Sequence, residues 1–197
     1  MKNIIKVLGL SLMVALFFTS CAKAPTQAID AAKAAIDSVV AAKGDVYAQD
    51  ELKMLNDDLT AANDEVTAQS KKFFKKFGKA KEMLAKIVTD ADAIKALIPA
   101  RIEEAQNAAM MAQNEAKAAV EEAKALLEKA PTGKGTKADI EAMKADLAGI
   151  EASLAEVQTA IDGQDFLGAK DTAVVVKEKA IGISDQVKAA IEKVRGR

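Results

Sequence analysis

Apolar residues recur at steps of three and four along nearly the whole chain beyond its first two dozen residues. Such a spacing puts the apolar side chains on one stripe of an α-helix, called a seam below, which must be buried against other helices. The sequence therefore predicts an all-α protein, an elongated antiparallel helical bundle with coiled-coil-like seams. The most regular seam consists of Ile140, Met143, Leu147, Ile150, Leu154, Val157 and Ile161.

Two helices are predicted in the first part of the chain. The first begins near Pro25, a residue favoured in a first turn, and ends at Gly44. The seam of the second extends to Phe73, which is therefore expected in the core, and Gln69 is interpreted as a polar residue that sets the register. A bend is expected at residues 76–78.

A long third helix, residues 77–128, is predicted to run through Pro99, which should kink it because proline removes a hydrogen bond. Beyond Pro99 the seam steps by four and becomes an alanine stripe, so the apolar face rotates. We therefore expect two three-helix units, residues 21–98 and 99–197, that share this kinked middle helix. The predicted stripe comprises Ala105, Ala109, Ala112, Ala116, Ala119, Ala123 and Leu126.

The fourth and fifth predicted helices follow loops at residues 131–136 and 162–164. The fifth helix opens with FLGAKD at 166–171, which is similar to FGKAKE at 77–82. Two explanations stay open for this similarity. The halves are related repeats, or two alanine-rich heptad helices simply look alike.

The first twenty residues have the features of a secretory signal peptide. Lys2 and Lys6 precede an apolar run at residues 7–18. About 12 residues are too few to span a bilayer core of roughly 30 Å, which needs about 20 helical residues. Residues 1–20 are therefore predicted to be a cleaved signal peptide, and a transmembrane helix with a free thiol is the less favoured alternative.

Residues 18–20, Phe-Thr-Ser, stand before Cys21, the single cysteine of the chain. This order resembles the lipobox of bacterial lipoproteins, in which the thiol takes a diacylglycerol and the new amino terminus is acylated. The resemblance makes Cys21 a lipid attachment site, whose acyl chains contribute roughly 0.8 kcal/mol per buried methylene to membrane binding. Since Ala22 replaces the aspartate that resembles an inner-membrane retention signal, we expect the periplasmic face of the outer membrane.

Composition excludes several classes of function. The chain contains no histidine, the commonest general base and transition-metal ligand. With Cys21 acylated no thiol remains, so no catalytic residue, metal site or cofactor is predicted. Loss of Lys2 and Lys6 with the signal peptide takes the net charge from −1 to −3, which gives no global field for nucleic acid.

The stretch KKFFKKFGKAK, residues 71–81, is the sharpest local feature. Its lysines and phenylalanines suggest a basic, partly apolar surface suited to anionic lipid headgroups or another envelope polymer. The alternative, which we favour here because both residues fall on the seam, places Phe73 and Phe77 in the core and the lysines in solvent. The candidate contact residues are Lys71, Lys72, Phe74, Lys75 and Lys76.

Two other motifs are interpreted as structural. PTGKGT at residues 131–136 lacks the spacing of a phosphate-binding loop and follows a helix. The adjacent carboxylates Asp57 and Asp58 point about 100° apart on a helix, as do Glu103 and Glu104, so neither pair converges on one ligand. Solvated helix faces explain both pairs.

The Ala24-Pro25 pair, GDVYAQDEL at 44–52 and the FxxAK step at 77–81 resemble a family of short, alanine-rich helical envelope lipoproteins, a domain of unknown function. The resemblance implies a helical periplasmic domain without a known activity. We thus expect a non-enzymatic structural or interaction module, held on the membrane by its lipid, whose partner is another envelope protein or a cell-wall polymer. The alternative is a carrier or holdase for apolar ligands or unfolded clients, with a pocket along the alanine stripe.

Overall fold

The computed structural model describes residues 23–130 and 137–195, which are almost entirely helical and contain no strand. The all-α prediction is confirmed. The predicted signal peptide, Cys21 and the predicted loop at 131–136 lie outside the described residues. The helices are α1 (Thr26–Ala41), α2 (Gly44–Tyr47), α3 (Gln49–Ser70), α4 (Gly78–Glu128), α5 (Lys137–Asp162) and α6 (Phe166–Arg195).

Helix α4 is one continuous helix of 51 residues with Pro99 inside it, as the seam predicts. The chain divides into two compact units within this helix, one ending at Pro99 and the other beginning at Ala100. The N-terminal unit thus holds α1, α2, α3 and the first part of α4. The rest of α4 belongs to the C-terminal unit with α5 and α6.

In the N-terminal unit, α4 runs antiparallel to α3. Lys79 lies 3.5 Å from Glu65, whereas Lys86, seven residues further along α4, lies 3.9 Å from Asp58, seven residues earlier on α3. The apolar stripes of the helices face each other as the seams predict. The buried side chains include Ile36, Val39, Leu55, Ala62, Val66, Phe77, Leu84, Ile87 and Ile98.

The turn after α1 differs from the prediction at Gly44. The helix ends at Ala41, and the left-handed residue is Lys43, with φ 70°. Gly44 instead begins α2 and is buried. A Cβ there would collide with the Val39 side chain and lie 2.7 Å from the Val39 carbonyl oxygen. Glycine is therefore required for the close approach of α2 to α1 and not as the residue that ends a helix.

In the C-terminal unit, α4 runs antiparallel to α5, because Gln113 contacts Gln158 while Lys124 contacts the earlier residue Glu151. Helix α6 runs parallel to α4. Its Lys177 and Lys188 bond to Glu115 and Glu122 at 2.8 and 2.9 Å. The unit is an up-down-up three-helix bundle, and its buried residues include Ala109, Ala116, Val120, Ile140, Leu147, Val157, Phe166, Val176 and Val187.

The seam of α4 departs from the predicted alanine stripe by one residue beyond Ala109. Gln113, Val120 and Leu127 are buried, whereas the predicted Ala112, Ala119 and Leu126 are half-buried. The cause is a second consecutive step of four, from 105 to 109 to 113, which keeps the stripe facing the same neighbours. Burial of an amide is tolerated because Gln113 Nε2 donates to Gln158 Oε1 at 2.9 Å.

Helix α5 ends where the sequence predicts. Gln164 adopts the left-handed conformation, with φ 60°, and the Asp165 amide donates to the Ala160 carbonyl at 2.9 Å. This is the bonding of a Schellman motif. The carboxylate of Asp165 then accepts from the Gly168 amide at 3.1 Å and caps α6.

Candidate functional site

The segment between α3 and α4, residues 71–77, is named the Lys–Phe loop here. Helix α3 ends at Ser70, whose hydroxyl donates back to the Val66 carbonyl oxygen at 2.7 Å. A continued helix would put Lys71 above Lys75 and Lys72 above Lys76, and like charges four residues apart destabilise a helix. The helix ends six residues before the predicted bend, and this charge repulsion is one effect that favours the early end.

Phe77 fixes the loop to the end of the N-terminal unit. Its ring is only 3% exposed and packs with Val66 of α3 and Ala80 of α4. Ile29 of α1 packs against the same cluster. The prediction that Phe77 lies in the core is confirmed, and the base of the loop is held by contacts with three helices.

Phe73 and Phe74 project from the loop into solvent. Phe73 is 92% exposed and Phe74 is 78% exposed. Their rings meet edge to face, with centroids 5.0 Å apart and planes at 86°. The expectation that Phe73 lies in the core is wrong, because the helix ends at Ser70 and the helical period no longer decides which way residue 73 points.

Lys71, Lys72, Lys75 and Lys76 surround these rings, and all four are exposed. Within the described residues none of the four forms a salt bridge. The loop itself contains no acidic residue, so it carries four positive charges around a protruding aromatic pair.

Glu65, the acidic residue closest in sequence to the loop on α3, is already engaged. Its carboxylate accepts from Gln69 Nε2 at 2.8 Å and lies 3.5 Å from Lys79 Nζ. The hydrogen bond from Gln69, and then the charges of Lys79 and Lys72, lower the pKa of Glu65. Gln69 therefore positions an ionised carboxylate at the end of α3, which is a more local role than the register-setting one predicted.

The Lys–Phe loop lies at the same end of the N-terminal unit as the start of α1. Ile29 is three residues, or roughly 4.5 Å of helix, from the first residue of α1, Thr26. Since Ile29 contacts the cluster of Phe77, the segment that enters α1 and the loop share one end of the unit. Sequence reasoning alone could not place them together.

The other described parts of the chain contain fewer features typical of a functional site than the Lys–Phe loop does. No group of histidine, cysteine and acidic residues there could hold a metal ion, and none of its helices is both long and apolar enough to cross a bilayer. A cleft of about 230 Å³ lies between α3 and α4, with Met54, Leu55 and Ile94 among its lining residues. Asp57 and Asp58 pair with separate lysines, at 3.0 and 3.9 Å.

Comparison of the chain with family models, with curated proteins and with solved structures finds no match. What the Lys–Phe loop can bind must therefore be inferred from its own residues. It combines exposed cations with exposed aromatic rings, a combination typical of surfaces that contact the interface of an anionic bilayer.

Proposed function

We propose that the chain is a lipid-anchored, non-catalytic structural or interaction module at the periplasmic face of a bacterial outer membrane. The observation that carries this proposal is the lipobox-like segment at 18–21, which ends five residues before α1 begins at Thr26. An anchor at Cys21 would thus be joined almost directly to a folded helical unit. Its partner would be another envelope protein or a cell-wall polymer.

The packing of the helices supports a module with outward contacts over a carrier. Ala105, Ala109, Ala116 and Ala123 of the alanine stripe are all buried, so close packing occupies the place suggested for a ligand. The cleft of about 230 Å³ in the N-terminal unit is smaller than most ligand pockets, which measure about 300–1,000 Å³.

Helix α6 also offers an outward face. Leu167, Val174 and Ile181 are exposed and repeat every seven residues, so they lie along one stripe of its surface. A stripe with heptad spacing suits a further helix. This face is a place where a partner protein could bind.

Labelling with radioactive palmitate in a bacterial host tests the anchor. We expect the full-length protein to take up label and to sediment with membranes, whereas Cys21→Ser should remain unlabelled and unprocessed. Ser20→Ala, which keeps a small residue before the cysteine, is the matched control and should label normally. A wild-type protein with an unmodified thiol would refute the proposal.

Separation of inner and outer membranes tests the location. The labelled wild-type protein should appear in the outer-membrane fraction. Ala22→Asp introduces the residue that resembles an inner-membrane retention signal, so it should move the labelled protein to the inner membrane. Recovery of both proteins in the inner membrane would overturn the assignment to the outer membrane.

A further inference from the structure

We infer that the Lys–Phe loop is a second membrane-contact site, at which Phe73 and Phe74 insert into the headgroup region of the bilayer that holds the acylated amino terminus. Lys71, Lys72, Lys75 and Lys76 bind anionic phospholipid headgroups around the two rings. The shared bilayer rests on the proposed function, whereas the affinity of the loop for an anionic membrane does not.

The two exposed phenylalanine rings indicate that the binding partner of the loop has an apolar region. Phe73 and Phe74 are adjacent, are 92% and 78% exposed and touch only each other edge to face among the aromatic side chains described. Phe77, at the end of the same loop, is buried, so its packing holds the loop that carries the two rings against the helices. Rings presented in this way enter the boundary between headgroups and acyl chains, as the apolar residues of interfacial segments do.

The positive charge of the loop indicates that the surface to which it binds is anionic. Four exposed lysines lie within a seven-residue segment, and none of them forms a salt bridge with another described residue, although the predicted mature chain as a whole is slightly acidic. Each basic residue near an anionic membrane strengthens binding about fivefold. A cell-wall polymer would meet the lysines equally well, but it has no apolar phase for the rings, and the bilayer is therefore the better partner.

The position of the loop agrees with a tethered amino terminus. Four residues lie between Cys21 and Thr26, so an acylated Cys21 would lie at most about 18 Å from the start of α1. Contacts of Ile29 with the cluster of Phe77 put the loop at this same end. A chain anchored at Cys21 thus presents the loop to the same membrane and is held at two points.

Vesicle binding of the chain from residue 21 with Cys21→Ser tests the loop without any lipid anchor, and this chain retains every described helix. We expect it to bind vesicles containing about 30% phosphatidylglycerol and to bind phosphatidylcholine vesicles weakly. Binding should weaken as salt rises from 0.1 M to 1 M, since the Debye length falls from about 10 Å to about 3 Å.

Changing the four loop lysines to glutamine should weaken binding by about two orders of magnitude or more, as fivefold effects multiply. The matched control removes the same charge elsewhere, from the exposed residues Lys117, Lys144, Lys170 and Lys179. The affinity of this control for anionic vesicles should lie within about twofold of that of the parent chain, because only lysines close to the membrane contribute to binding. Equal losses in the two variants would refute a specific site.

Phe73→Ser with Phe74→Ser should weaken binding about tenfold or more at every salt concentration, because burial of the rings does not depend on charge. Met110→Ser with Met111→Ser is the matched control, since these methionines are also adjacent and exposed. The control should leave binding unchanged.

Fluorescence gives a direct measure of insertion, because the chain has no tryptophan. Phe73→Trp should shift its emission to shorter wavelength with anionic vesicles and be quenched by brominated lipid, while Met111→Trp should do neither. No shift, equal binding to neutral vesicles, or binding to isolated peptidoglycan alone would overturn the inference. Failure of palmitate labelling would remove the proposed anchor and leave these results standing.

Discussion

Replacing Leu147 by aspartate should unfold the C-terminal unit and leave the N-terminal unit folded. Leu147 lies in the middle of α5, and only 6% of its surface is exposed. The change removes a buried apolar side chain and puts a carboxylate in its place.

The magnitude follows from two costs. Truncating a buried leucine typically costs about 2–5 kcal/mol. A buried carboxyl group has its pKa raised by about 3–5, and at pH 7 it can protonate at a cost of about 4 kcal/mol, which is about 1.4 kcal/mol for each of the roughly three pH units above its ordinary pKa. The sum of about 6–9 kcal/mol compares with about 5–15 kcal/mol for the whole stability of a domain of this size.

Two optical signals separate the units. Tyr47, the only tyrosine, lies in α2 of the N-terminal unit, so its fluorescence reports on that unit alone. Leu147→Asp should lose somewhat more than half of the far-UV circular dichroism, because the C-terminal unit holds 85 of the 149 helical residues described, and should keep the Tyr47 signal. Urea titrations of both signals would measure the remaining stability.

Matched variants on α5 show what would refute this reasoning. Lys144→Asp is exposed and should change stability by no more than about 0.5 kcal/mol. Leu154→Asp, at a half-buried position, should fall between the two. Equal effects at 144 and 147 would show that the seam of α5 does not face a core, and joint loss of both optical signals would show that α4 couples the units.

Two further changes concern the N-terminal unit. Because the pKa of Glu65 is lowered in the folded protein, its contribution to stability is present above the ordinary value of 4.5 and lost as pH falls through the folded value. Glu65→Gln should therefore flatten the decline of the urea midpoint from about pH 5 to 3, and an unchanged profile would contradict this role. Gly44→Ala should destabilise by about 1–3 kcal/mol, since its Cβ would meet the backbone of Val39. Gly149→Ala, with open space around it, should instead stabilise α5 by up to about 1 kcal/mol in the same denaturation assay.

The helices themselves could be predicted because helix formation here depends on a single repeated period. Ile140, Leu147, Ile150 and Val157 of α5 are buried as their spacing requires. The apolar period predicts less reliably which residue is buried where the two neighbouring candidates are both alanine, or are an alanine and a glutamine. Gln113 is buried in place of Ala112 because Gln158, far away in sequence, supplies its hydrogen bond.

The Lys–Phe loop could be predicted only in part, because two physical effects compete in the same residues. The apolar period continues through Phe73 and favours a helix, while lysines four residues apart oppose one. The helix ends at Ser70, and Phe73 is exposed although Phe77 is buried. Two like-charge pairs cost only about 0.2–0.5 kcal/mol each, less than burial of a phenylalanine provides, so the lysine spacing alone could not have predicted this end. The turn that brings α4 back along α3 depends on contacts distant in sequence, such as that of Phe77 with Val66.

Exposure of Phe73 and Phe74 has an energetic consequence for the free chain. Two rings in water forgo the stabilisation of burial, about 1.5–3 kcal/mol each. Since Phe77 already completes the packing at this end of the bundle, the fold gains nothing from the outer pair. The two rings can therefore gain the free energy of burial only by entering an apolar phase outside the protein. If Cys21 carries the proposed lipid anchor, five residues before α1, the apolar phase within reach of the loop is the bilayer, and the four lysines would then face its headgroups.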